Sequence, residues 1–105
     1  MKTDEVLLAQ MRDAVAKIER FTHGMDEASF KNDEKTQSAV IMQLALIGEL
    51  AKRISGETKA GILLPWKEIA GFRDNAIHDY FNIDLGIVWS TIVTDIPELK
   101  KALGA

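Results

Sequence analysis

The chain has 105 residues, 47% of them hydrophobic and 28% charged, with a formal net charge of −3, two prolines and no cysteine. This describes one folded domain over residues 1–105, with too little chain for a second core. It excludes a disordered chain, a disulfide scaffold, a thiol nucleophile, a cysteine zinc site and an indiscriminate polyanion binder.

The N-terminus MKTDEVLLAQ is acidic and helical in pattern rather than basic and then apolar. No apolar run approaches the roughly 20 residues of a membrane span. A soluble, cytoplasmic protein without a membrane contact is expected. Thr3 is placed to cap a first helix, with Asp4 and Glu5 in the first turn, where the helix dipole favours acids. Leu7, Met11, Ala14, Ile18 and Phe21 recur at spacings of four and three, the mark of one apolar stripe, and the helix is expected to end near His23-Gly24. His23 itself reads as an ordinary loop residue.

After a short turn around Glu27 to Phe30, Asp33 is the next cap, opening DEKTQSAVIMQLALIGELAKRIS. From Ala39 to Leu50 only Gln43, Gly48 and Glu49 interrupt the apolar residues, so this helix must be covered on more than one side. A second copy of the chain is the natural second cover, which predicts that the helix supplies part of a homodimer interface. A central place in the bundle would also account for the pattern. Ser55-Gly56 is expected to stop the helix, and ETKAGILL reads as an irregular connection to Pro65, suited to a first helical position. Ile69, Phe72, Ala76 and Ile77 give the next helix its buried face. Asp84 caps a last helix striped by Leu85, Val88, Trp89, Ile92 and Val93, until Pro97 breaks or kinks it, with Asp95 and Glu98 as a capping box for a separate terminal turn. No segment alternates with period two, so the fold class is all-α, a four- to five-helix bundle with short connections.

Charge is unevenly placed. Residues 52–73 carry Lys52, Arg53, Lys59, Lys67 and Arg73 against Glu57 and Glu68, a local +3 in an acidic chain. A solvated loop and a phosphate-facing patch both fit that segment. It runs into RDNAIHDY, residues 73–80, which holds Arg73, His78 and Tyr80. An arginine supplies a permanent forked cation for phosphate, and a histidine gives or takes a proton near neutral pH. Together they suit cleavage of an RNA phosphodiester, which needs a base, an acid and positive charge but no metal once those are in place. Five residues of α-helix turn through about 500°, leaving Arg73 and His78 about 140° apart, whereas Arg73 and Tyr80 would be only about 20° apart. One rigid helix cannot aim both groups at one phosphate. Either the helix loses regularity by His78, or two copies meet so that each lends its histidine and arginine to a shared cleft. The plainer alternative is a surface ion pair for Arg73, with Glu68 or a neighbouring acid, and a helix-end role for His78 beside Asp74. With two histidines, no cysteine and no HExxH spacing, no metal site and no cofactor are expected.

The motif Arg73-DNAI-His78-Asp-Tyr80, with the long helix DEKTQSAVIMQLALIGELAKRIS, the unit PWKEIAGFRDNAIHDY and the segment IDLGIVWSTIVTDIPELKKAL, resembles the HepT-like group of the HEPN superfamily. The polar residue usual after the motif arginine is here Asp74, a supporting position. The resemblance implies a dimeric, metal-independent endoribonuclease acting on cellular RNA, tRNA among the candidates, as the toxin of a type VII-like toxin–antitoxin pair. Arg73 would stabilise the phosphate, His78 would be general acid or base, and Tyr80 would accept AMP from an MntA-like nucleotidyltransferase antitoxin. A non-catalytic HEPN module that binds such a transferase or a nucleotide is the competing reading.

Overall fold

A computed structural model describes residues 3–104. Helix α1 (Asp4–Thr22) is capped by Thr3, whose hydroxyl accepts from the Val6 N–H at 3.4 Å. Its buried stripe is Leu7, Met11, Ala14, Val15, Ile18 and Thr22. Phe21 was expected there but is exposed. The step of four from Ile18 falls on Thr22, which can be buried because its hydroxyl donates to the Ile18 carbonyl at 2.8 Å. Gly24, with φ 77°, turns the chain in a conformation that disfavours other residues. The expected turn is a short helix, α2 (Glu27–Lys31), closed by reciprocal Asp26 and Ser29 bonds of 2.8 and 2.9 Å. It buries Phe30 completely, 5.5 Å from the Trp89 ring.

Helix α3 (Glu34–Arg53) begins at Asp33, which accepts from the Thr36 N–H at 3.0 Å. It lies between α1 and α5 (Trp66–His78), and Val40, Ile41, Leu44, Ile47, Leu50 and Ala51 are buried against them. Much of its unbroken apolar run is thus explained by a central place in the bundle. The remainder is not, because Met42 and Leu46 stay 58% and 43% exposed, one turn apart on an uncovered face.

The ETKAGILL segment is not irregular as expected. Ser55 caps a further helix, α4 (Gly56–Gly61), accepting from the Thr58 N–H at 3.2 Å. The side chains of Ser55 and Thr58 both donate to Asp4 at 2.5 Å, and the Ser55 N–H donates to it at 3.1 Å. These bonds, the Ser55 hydroxyl first, hold the Asp4 carboxyl below its ordinary value. They also tie the start of α1 to the end of α3, which sequence periodicity has no means of showing.

Helix α5 starts one residue after Pro65, anchored by the Trp66 indole, which donates to the Ile62 carbonyl at 3.1 Å. Ile69 and Phe72 are half-buried and Ala76 is buried, but Ile77 is exposed, about 100° round the helix from Ala76. A single 3-10 turn (Tyr80–Asn82) leads to α6 (Leu85–Ser90), capped as expected by Asp84, which accepts from Gly86 at 2.8 Å and Ile87 at 3.2 Å.

Pro97 neither breaks the last helix nor opens a capping box, since Asp95 makes no cap hydrogen bond. Instead α6 passes through a π turn (Thr91–Asp95) into α7 (Ile96–Ala102), the Ile96 N–H reaching back five residues to the Thr91 carbonyl. The wider turn accommodates a residue that has no N–H and whose ring would strike the carbonyl four residues before it. The extra residue also rotates the stripe, so Val88, Ile92, Ile96, Leu99 and Leu103 are buried while Val93 is exposed. Among the described residues there is no strand, and no helix is long and apolar enough to cross a membrane.

Candidate active site

The motif is seated where α3 and α5 come closest. A Cβ at Gly48 would lie 2.8 Å from both the Arg73 Cβ and the Ile69 carbonyl oxygen. Only a glycine allows the two backbones to approach this closely. The contact brings Arg73 beside Glu49, the residue after Gly48. Arg73 Nε forms an ion pair with Glu49 Oε2 at 3.1 Å, and Nη1 donates to Asp74 Oδ1 at 3.2 Å.

Each carboxylate is shared with a second cation from the end of α3. Lys52 Nζ donates to Asp74 Oδ1 at 2.7 Å, and Arg53 Nη2 to Glu49 Oε1 at 3.4 Å. Three cations and two carboxylates therefore alternate around the motif arginine, leaving it locally positive. The Lys52 ammonium, and then the Arg73 guanidinium, hold the Asp74 carboxyl below its ordinary value. Asp74 thus pairs with Lys52 and Arg73 and not with His78, and Arg73 takes Glu49 in place of Glu68.

From Arg73 a groove of about 460 Å³ runs between α3 and α5 to Tyr80. Its polar ends are Glu49 with Arg73, and Ser38 with Tyr80, whose oxygens lie 3.3 Å apart. Its middle is apolar, with Met42 and Leu46 on one wall and Ile77 on the other. Tyr80 shares the groove with Arg73, yet not by continuing the helix. Helix α5 ends at His78, Asp79 leaves helical geometry (φ −145°, ψ 40°), and the 3-10 turn returns Tyr80 to α3. The following residue, Phe81, is 98% exposed and meets only the edge of Tyr80, 5.6 Å between ring centroids.

His78 is apart from this arrangement. It is the last residue of regular helix, exposed, and its side chain makes no hydrogen bond or ion pair among the described residues. The separation of about 140° from Arg73 therefore stands within one chain, because the helix does not lose regularity before His78. Sequence reasoning missed Glu49 and Ser38. The pair Gly48-Glu49 interrupting an apolar helix was the available signal for Glu49, while nothing in the sequence marks Ser38. Among the described residues no group of three or more His, Cys, Asp and Glu side chains is arranged to hold a metal ion.

Comparison with known proteins matches residues 11–105 to a family described as Ribonuclease HepT-like. The chain belongs to the HepT-like ribonuclease family. It is 42% identical over 94 residues, 89% of this chain and 86% of the other, to a protein of Thermococcus cleftensis named "Probable ribonuclease HepT". It is 40% identical over 96 residues, 90% of this chain and 79% of the other, to "Putative RNase MJ0125" of Methanocaldococcus jannaschii. No solved structure matches the chain. The family match covers every residue of the network and the groove in this HepT-like chain, from Ser38 to Tyr80.

Proposed function

We propose that this HepT-like chain is the toxin of a toxin–antitoxin pair, an endoribonuclease that cleaves cellular RNA in a cleft shared by two copies. The observation that carries the reading is the placement of Arg73 and His78 on one regular helix whose geometry keeps them about 140° apart. A second copy set across the apolar groove brings an arginine and a histidine from each chain into one cleft. It also covers Met42, Leu46 and Ile77, which the bundle leaves in water.

The chemistry follows from the groups available. One His78 removes the proton of a ribose 2′-hydroxyl, whose oxygen attacks the adjacent phosphorus. The second His78 gives a proton to the departing 5′-oxygen, leaving a 2′,3′-cyclic phosphate and a free 5′-hydroxyl. Arg73 stabilises the charge gathering on the phosphoryl oxygens, and Asp74 and Glu49 hold its guanidinium in place. With base, acid and cation supplied by side chains, the reaction is metal-independent.

Tyr80 is the control point. Its hydroxyl is reachable, bonded among the described residues only to Ser38, and lies in the same groove as Arg73. A nucleotidyltransferase antitoxin adenylates it: the phenolic oxygen attacks the α-phosphorus of ATP, pyrophosphate leaves, and the phenolic proton passes to solvent. The phosphodiester anion then occupies the space and charge that the RNA phosphate requires. The test is to express the protein with and without a small nucleotidyltransferase, and to measure intact mass and RNA cleavage in excess chelator. Protein made alone is expected to cleave and leave cyclic phosphate ends, while the co-expressed protein gains one adenylate at Tyr80 and is inactive. Cleavage that stops with chelator, or equal activity with and without the adenylate, contradicts the proposal.

A further inference from the structure

Among the described residues the ion-pair network around Arg73 extends beyond the motif onto the end of α3. Lys52 and Arg53 are exposed, and their partners Asp74 and Glu49 are the two carboxylates already engaged with Arg73. Exposed pairs of this kind hold their cations loosely. Three cations against two carboxylates leave a net positive charge, so the cluster attracts an anion although the whole chain carries −3. A nucleic acid strand whose reacting phosphate sits at Arg73 presents further phosphates at regular spacing, and such contacts position a strand without reading its bases.

Building on the ribonuclease reading, we infer that Lys52 and Arg53 are RNA-binding residues that take the phosphates flanking the scissile one. Glu49 and Asp74 act as spacers, keeping Arg73 in place and fanning Lys52 and Arg53 apart in the free protein, then passing those two to phosphate when RNA arrives. A merely structural role differs in its consequences. Basic residues in the last turn of α3 favour the helix dipole, and removing them for that reason alone lowers thermal stability without touching RNA.

The salt dependence of binding separates the two. The full-length His78→Ala protein, which retains the strand uncleaved, is titrated with fluorescent single-stranded RNA between about 50 and 200 mM salt. Each phosphate contact to a single strand contributes about 0.7 to the slope of log affinity against log salt, so the added Lys52→Gln and Arg53→Gln changes lower it by about 1.4 per chain touching the strand. Lys100→Gln, whose pair with Glu19 joins α7 to α1, leaves the slope unchanged. Equal slopes with and without the Lys52 and Arg53 changes, in proteins of equal helicity, overturn the inference. Failure of the His78→Ala protein to hold RNA at the lowest salt overturns the ribonuclease reading beneath it.

Discussion

Replacing His78 with alanine is expected to lower RNA cleavage by about 10³-fold or more while leaving the fold intact. Positioned proton transfer contributes about 10²–10⁴-fold, and in a cleft shared by two copies the substitution removes both base and acid. The side chain is exposed and makes no hydrogen bond or ion pair among the described residues, so stability should change by no more than about 0.5 kcal/mol. Arg73→Ala should also abolish most activity, but it differs in releasing Glu49 and Asp74 from their shared cation. Single-turnover cleavage beside thermal unfolding reads both quantities. Cleavage by His78→Ala at the wild-type rate would remove the histidine from the chemistry.

Gly48→Ala should lower both stability and activity, the reverse of what helix propensity alone dictates. Alanine gains about 1 kcal/mol over glycine inside a helix. At position 48, however, the new methyl lies 2.8 Å from the Ile69 carbonyl and the Arg73 Cβ, neither of which can swing aside as a flexible chain end would. Overpacking costs about 1–3 kcal/mol, and contact with backbone puts this site at the upper end, leaving a net loss of about 1–2 kcal/mol. In a domain of this size that lowers the unfolding midpoint by about 4–8 °C per kcal/mol. The shift of α5 also displaces Arg73. Gly71→Ala is the matched comparison, on α5 with nothing within 4 Å of the new methyl, and should be stabilising by up to about 1 kcal/mol. Gly48→Ala melting at or above the wild type would contradict the close approach of α3 and α5.

What the sequence disclosed depended on how local the cause was. Caps at Thr3, Asp33 and Asp84 lie within three residues of the groups they satisfy, so their side-chain types declared them. The apolar spacing located α1, which buries one stripe, and α3, which is covered by both α1 and α5, and it marked α5 beside them. The errors arose where something other than apolar spacing and cap type decided. Phe21 and Thr22 exchanged roles through a hydroxyl bond to the helix's own backbone. Helix α4 forms at a cap that Asp4 reinforces from 51 residues away, and the π turn lets a helix continue through Pro97.

The candidate site divides in the same way. Arg73, His78 and Tyr80 were visible as a motif, and the angle separating the first two followed from helix geometry alone. Glu49, Lys52, Arg53 and Ser38 converge on the motif only because Gly48 admits α5 to the surface of α3. Tyr80 reached the groove by a route the helix rule did not contain, a 3-10 turn past the helix end.

The shared cleft is tested most directly by sedimentation equilibrium of the wild-type protein at a concentration where it cleaves RNA. The result expected is a particle of at least twice the 11.7 kDa of one chain. Active protein sedimenting as a single 11.7 kDa chain would contradict it, since Arg73 and His78 would then be working from opposite sides of one helix.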